Sequence, residues 1–359
     1  MHEEKTQSVE SSAAPAVVTL KAVAQRVGLT PGTVSGVLNN SPKCRSVPQS
    51  TKERIYAAVR EMNYHPNYLA RALRVKRTYT IGVIAAEVGY TYGPTLISGI
   101  ERYLRERGFL HLTVAHRRDR SLLESYSNLL LQHGVEGFLT LDTCVTHSLL
   151  LPTVAIGSHD AVDGVTRVVL DQRKAALLAL KHLRDLGHCE IAFMKGPAVS
   201  SDAMDRWDSV RAACDELEIE IRPELTLELE GDAGCAPENC HRFVRELLGR
   251  GRRFTALFAY NDNSAIGAMG VLRDAGLRIP EDVSVVGFDD IGAASFTKPA
   301  LTTIHQPLHE MARIAAKALV DQIELRAEFI PEIRIEPELI VRNSTALAAK
   351  ARATIAAGS

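Results

Sequence analysis

The sequence predicts a small all-helical head followed by an α/β body of two lobes, each built on a doubly wound parallel sheet. Three observations carry that expectation. Between residues 18 and 73, apolar residues recur at helical spacing in short segments punctuated by Gly28, Pro31 and Pro66. From residue 79 onward, β-rich runs alternate with helical stretches that end at Gly108, Gly187 and Gly276, the pattern of repeated βα units. Charge changes with the same boundary: residues 16–80 hold eleven Lys and Arg against Glu53 and Glu61, a net +9, although the 359-residue chain sums to −1.

Residues 1–16 are polar and lack the apolar stretch of a signal peptide, so they read as a disordered leader of a cytoplasmic protein. No apolar run reaches membrane-spanning length. Thr19 stands where it can cap a helix over 20–27, whose Leu20, Val23, Ala24 and Val27 share one face. Gly28 ends that helix, Thr30 caps a second over 31–38, and Pro31 takes its first position, where a missing N–H costs nothing. A helix, a tight glycine turn and a second helix form the helix-turn-helix pattern, whose second helix enters a major groove. Ser50 and Glu53 then read as the capping box of a third helix with Ile55, Ala58, Val59 and Met62 inward. Pro66 stops it, and Asn67 can cap a short helix carrying Leu69, Ala70 and Leu73, too short to be stable alone. A basic window with this punctuation fits polyanion binding better than a merely solvated charge run.

The strings VTLKAVA at 18–24, TVS at 33–35 and VLN at 37–39, then Pro66-Asn67, Ala70-Arg71 and Leu73, resemble the lactose-repressor (LacI/GalR) family of bacterial transcription regulators. The resemblance implies a homodimer that binds a palindromic double-stranded DNA operator. It also implies an effector, often a sugar, in a periplasmic-binding-protein-like core. It assigns DNA contact to Thr19, Thr30, Pro31, Gly32, Thr33, Ser35, Asn39, Tyr64, Asn67, Ala70, Arg71 and Leu73. Leu73 matches the residue that wedges into the minor groove. Here the chain departs from the family: Pro31 and Gly32 occupy the usual base-reading positions, and Gly36 replaces a common arginine. Lys43 and Arg45, in a longer and more basic loop, are candidates to restore phosphate contact. For Thr33 and Ser35, capping competes with DNA contact.

In the body, strands are predicted over 79–86, 109–115, 135–141, 192–194, 255–259 and 283–288. A helix over 119–133 joins one that buries Leu96, Ile97, Ile100 and Leu104. No glycine-rich phosphate cradle follows any strand. Ligands of open α/β sheets lie beyond the carboxyl ends of the strands, which singles out Tyr90, Tyr92, Asp171, Arg206, Asn261, Asp262 and Asp289. One arginine among acidic and amide groups suits a polyhydroxylated ligand, each hydroxyl being donor and acceptor at once. The resemblance covers Arg206 with Val210 and Ala213, Asn261-Asp262, the stretch 286–290, the return crossing 299–307 and the final strand up to 345. Plainer readings stand beside these. Asp262 and Asp171 can be helix caps, Asp290 is expected to be structural, and Trp207 to be core. Ser209 replaces a glycine of the family pattern and crowds its helix.

The expected organisation is a leader (1–16), a helix-turn-helix domain (17–64), a hinge helix and linker (65–78), a core (79–345) and a tail (346–359). The N-lobe is expected at about 79–182 and 308–335, the C-lobe at about 184–304 and 336–345. The tail lacks a leucine heptad, so a dimer is expected and no tail-driven tetramer. Six scattered cysteines form no zinc spacing, and Cys235, Cys240 and His241 without a second pair are not read as a metal site. A solute-binding protein would carry a signal peptide and no basic head, and an enzyme would need a nucleophile–base pair at the cleft. The composite reading is an effector-gated repressor without a cofactor or catalytic residue.

Overall fold

The structure is a computed structural model. It describes residues 18–39, 41–65, 72–73, 75–89, 92–146, 149–157, 161–200, 202–229, 239–251, 253–326 and 328–348. The leader, Asn67, Ala70, Arg71, Tyr90, Cys235 and most of the tail lie outside these residues. The chain divides into two compact units, residues 1–77 and 78–359.

The first unit holds α1 (Leu20–Val27), α2 (Pro31–Leu38) and α3 (Gln49–Glu61). Thr19 accepts from the Ala22 N–H at 3.3 Å, Gly28 adopts φ 67° to end α1, and Thr30 accepts from the Thr33 N–H at 3.2 Å. Val23, Ala24, Val27, Val34, Val37, Ile55, Ala58 and Tyr64 close one small core. The capping box is a correction. Helix α3 begins one residue before Ser50, after an extended Pro48, and no side chain caps it. Gln49 instead donates to Glu53 at 3.2 Å. Between α2 and α3 the loop turns back on Gly36: the Ser41 N–H donates to the Gly36 carbonyl at 2.8 Å. A Cβ on Gly36 would overlap the Cys44 sulfur. Gly36 and Cys44 are therefore a matched pair, and their packing explains why no long side chain stands at position 36.

The second unit contains two six-stranded sheets. One has the order β11-β5-β4-β3-β1-β2, from β1 (Thr80–Ala85), β2 (Leu110–Ala115), β3 (Phe138–Leu141), β4 (Thr153–Ile156), β5 (Val165–Leu170) and β11 (Glu332–Ile335), all parallel. The other runs β12-β10-β9-β8-β6-β7, from β6 (Ile191–Lys195), β7 (Thr226–Glu228), β8 (Ala256–Phe258), β9 (Ser284–Asp289), β10 (Thr302–His305) and β12 (Glu338–Ile340), with only the β10–β12 pair antiparallel. Sheets covered on both faces read as near-continuous apolar runs, and β1, β3, β4 and β9 are buried at every position.

Helices α4 (Tyr92–Glu106), α5 (Arg120–Gln132) and α10 (Leu308–Ile323) pack in the N-lobe, with Leu96, Ile100 and Leu104 of α4 against Met311, Ala315 and Leu319 of α10. Helices α6 (Gln172–Asp185), α7 (Ala203–Glu216), α8 (Asn239–Gly249) and α9 (Asp262–Asp274) pack in the C-lobe. Helix α6 corrects the expected lobe boundary. Its Ala175, Ala179, Leu180 and Leu183 share a core with Ile191, Phe193 and Val210, so the first crossing between lobes falls at Asp171, not near residue 182. Two more crossings follow β10 and β11. The Asp171 N–H donates to the Ile335 carbonyl at 2.9 Å, tying the first crossing to the third.

Candidate functional site: a two-lobed cleft and a DNA-reading head

On the head, Pro31 and Gly32 are exposed at the start of α2, and neither carries a polar side-chain atom. The polar candidates are engaged internally. The Thr33 hydroxyl lies 3.0 Å from that of Thr30, Ser35 is buried, and Asn39 donates to the Ser35 carbonyl at 2.7 Å. Tyr64 is core, and burial raises the pKa of its phenol. Lys43 and Arg45 are exposed on the loop that Gly36 and Cys44 hold against α2. Leu73 is 82% exposed.

In the second unit, polar groups converge between the lobes. Arg206, on the first turns of α7, is buried. It donates to the Tyr260 carbonyl at 2.7 Å and to Gln172 Oε1 at 3.2 Å, and its guanidinium lies 3.6 Å from the centre of the Phe288 ring. Burial alone would lower its pKa, but Tyr260, Asp289, Asp202 and Tyr92 together raise it. Asp289 ends β9 at φ 104°, a strained backbone for a residue with a Cβ. Its carboxyl is pushed well above the usual carboxylate range by burial, against the opposing pull of Arg206. It opens on a cavity of about 350 Å³ lined also by Thr95, His305, Gln306 and Leu308. That volume is within the range of small-ligand sites. Tyr92, at the start of α4, has a buried hydroxyl without a hydrogen-bond partner among the described residues. Burial, then Asp202, Asp142 and Asp289, raise its pKa well above the usual phenol value.

Arg118 and Asp142 complete the cleft from the N-lobe. They pair at 2.6 Å, and Arg118 also donates to the Val199 carbonyl of the C-lobe at 2.5 Å. Ser200 donates to Asp142 at 3.2 Å and lies 2.8 Å from the Tyr260 hydroxyl. These bonds bridge the lobes. Sequence reasoning missed Arg118 and Asp142, although both follow carboxyl ends of strands, β2 and β3. Asp202, beside Tyr92, was missed as well.

Other expected site residues have structural work. Asp171 caps α6 through the Lys174 N–H at 2.9 Å. Asn261, not Asp262, caps α9, through the Ser264 N–H at 2.9 Å. Asp262 is fully buried, accepting from Thr303 Oγ1 at 2.5 Å and the Ile291 N–H at 2.8 Å, so it braces β10 and the turn after β9. A Cβ on Gly287 would overlap the Asp262 carboxyl, which explains the glycine in that strand. Asp290 is structural, held by Arg342 at 2.6 Å and His305 at 2.9 Å. Trp207 packs edge-on against Phe193 at 6.0 Å, as core. Ser209 is accommodated, nearly buried, within α7.

Residues 19–67 match the family model of bacterial regulatory proteins, lacI family, and residues 180–345 match that of a periplasmic binding protein-like domain. The HTH-type transcriptional repressor PurR of Haemophilus influenzae is 32% identical over 338 residues, which cover 91% of this chain and 98% of the relative. PurR of Aliivibrio fischeri is 30% identical over the same shares of each chain. Among solved structures, the Lac repressor dimer bound to operator and the anti-inducer ONPF is similar at TM-score 0.81 and 25% identity, covering 92% of this chain and 99% of that one. A complex of the transcriptional regulator CelR with cellobiose is similar at TM-score 0.68 and 30% identity, covering 91% and 99%.

Proposed function

The chain belongs to the lacI family of bacterial regulatory proteins, and from that premise we propose that it is a homodimeric repressor whose operator affinity is set by a small effector held between the two lobes of its core. The observation that carries the effector half is the cleft itself. The Tyr92 hydroxyl and the Asp289 carboxyl are buried at the carboxyl ends of the sheets; the Tyr92 hydroxyl has no hydrogen-bond partner among the described residues, and burial holds the Asp289 carboxyl well above the usual carboxylate range. A buried polar group left without a partner costs about 1–3 kcal/mol, so a ligand that supplies donors and acceptors recovers that cost. A polyhydroxylated ligand, a sugar or a related metabolite, matches Tyr92, Asp202, Asp289 and Arg206. Arg118 and Asp142 supply the second lobe's side of the site.

In the head, α2 positions the chain in the major groove, Lys43 and Arg45 contact phosphates, and Leu73 inserts from the minor groove. Effector binding shifts the population of closed lobes. In a dimer that shift changes the relation of the two N-lobes, hence the ordering of the hinges and the affinity for DNA. The relatives are transcriptional regulators, and the chain is proposed to act likewise as a non-enzymatic, cytoplasmic protein. No described helix is long and apolar enough to cross a membrane.

A thermal-shift screen of sugars, sugar acids and nucleobases on the full chain identifies the effector. The same ligand must then change operator affinity. A ligand that stabilises the wild type and the Asp289→Asn variant equally does not bind in this cleft.

A further inference from the structure

A second cavity in the second unit is larger than the one at Asp289. A recess of about 620 Å³ lies in the N-lobe beneath α5, between that helix, the ends of β1 and β3 and the loop after β3. It shares no lining residue with the cavity at Asp289. Its walls are mainly apolar: Ile84, Leu123, Leu131, Phe138 and Leu149 face it, and Ala198 and Val199 of the C-lobe close one side. Arg118, Arg120, Glu124 and Asp142 also stand in the lining, so the recess joins mainly apolar walls to polar groups that a ligand can engage.

Two polar atoms in the lining make it more than a packing gap. Thr140 is 1% exposed and His116 is 6% exposed, and neither Thr140 Oγ1 nor His116 Nδ1 has a hydrogen-bond partner among the described residues. The state of the histidine follows from its neighbours. The Thr143 hydroxyl donates its one proton to the Leu141 carbonyl at 2.9 Å, so toward His116 Nε2, 3.0 Å away, it accepts. Nε2 therefore carries the ring proton. Burial, reinforced by Arg118, lowers the pKa of the ring and keeps it neutral. Nδ1 is then a bare acceptor on a residue that lines the recess, and Thr140 brings an unpartnered hydroxyl to the same lining.

We infer that this recess is a second ligand site, apart from the cavity at Asp289 although Arg118 and Asp142 border both it and the effector cleft, for a compact apolar molecule that carries a hydroxyl group. The molecule's hydroxyl donates to His116 Nδ1 or Thr140, and its body fills the space under α5. The site is coupled to the cleft, because Arg118, Asp142 and Val199, which bridge the lobes, also line it. An occupant supports that bridge and favours the closed lobes.

The test uses 2-naphthol, with 2-methoxynaphthalene as a probe of almost equal shape that has lost the donor. Equilibrium dialysis against the full chain is expected to show one saturable 2-naphthol site per chain, with the methyl ether about tenfold weaker for want of one buried hydrogen bond. Ser127→Phe fills the recess from α5 and abolishes binding. Thr140→Val, nearly isosteric, keeps the fold and narrows the discrimination between the two probes. Asp289→Asn leaves binding unchanged, which separates this site from the proposed effector cavity. The inference is overturned by any of three results: no saturable site, equal affinity for both probes, or binding that survives Ser127→Phe but is lost in Asp289→Asn.

Discussion

Asp262 separates bracing of the cleft from contact with a ligand, and its replacement by asparagine tests that separation through pH. Burial raises its pKa from 3.8 to about 7, more than the Thr303 and Ile291 hydrogen bonds lower it. The folded core therefore holds a proton that the unfolded chain has released over the range from about pH 4 to 7. Where the native state binds more protons, stability falls as pH rises, so the sign is opposite to that of an ion-paired carboxylate. A shift of roughly 3 units corresponds to about 4 kcal/mol across the whole range, a slope of at most about 1.4 kcal/mol per pH unit, before relaxation reduces it. Asparagine can present its carbonyl to the Ile291 N–H and its amide to the Thr303 hydroxyl, which turns to accept, so the variant keeps both contacts without titrating. Urea unfolding of both proteins between pH 4.5 and 8.5 isolates the group as a difference. The wild type is expected to lose stability relative to Asp262→Asn from pH 5 to 7 and to run parallel to it above pH 8. The variant is expected to retain its effector response. A difference that stays flat across that range, or that grows in favour of the wild type, refutes the assignment of a buried, proton-holding brace.

Three further outcomes follow from the same geometry. Arg206→Lys keeps a charge near Asp289 but loses the paired bonds to Tyr260 and Gln172 and the stacking on Phe288; it is expected to weaken effector binding by at least tenfold in calorimetry, while operator binding stays within about twofold. Gly36→Arg, which restores the common family residue, is expected to unfold the loop that Cys44 packs into α2, seen as a lowered melting transition of the head, whereas Gly32→Gln meets only Thr30 Oγ1 at an ordinary 3.8 Å contact and is tolerated with a gain of about 0.5–1 kcal/mol in helix stability. Lys43→Ala is expected to weaken operator and random DNA alike and to reduce the slope of log K against log salt by about 1, whereas Leu73→Ala loses discrimination between them.

Local rules made the head legible. The caps at Thr19 and Thr30, the turn at Gly28 and the proline at position 31 each have one local cause, and α1 and α2 span the residues those signals bound. The capping box failed because Ser50 and Glu53 satisfy the pattern in sequence while Pro48 starts the helix earlier. The role of Gly36 was not legible, since it depends on Cys44 arriving from a loop whose path no local signal specifies. In the body, alternating apolar runs disclosed the sheets. The short strand β4 and the allegiance of α6 depend on which lobe's core they complete. For the cleft, the rule that ligands lie beyond strand ends pointed to Arg206 and Asp289. Applied also to β2 and β3, it would have reached Arg118 and Asp142. It could not distinguish Asp262 from Asp289, because the difference is a tertiary one: Thr303 and Ile291 bond the first, and a cavity faces the second.

The central claim is that occupancy of the cleft at Asp289 controls the grip on DNA. Fluorescence anisotropy of an operator duplex, selected from random sequence by the full chain, measures it directly when titrated with and without saturating effector, on wild type and on Asp289→Asn. The account predicts an effector-dependent change in operator Kd of about 5- to 150-fold for the wild type, with effector affinity changed by the same factor when operator is bound. It predicts an unshifted Kd for the variant, whose effector-free operator binding matches the wild type. An operator Kd that saturating effector leaves unchanged in the wild type, or that shifts equally in Asp289→Asn, contradicts it.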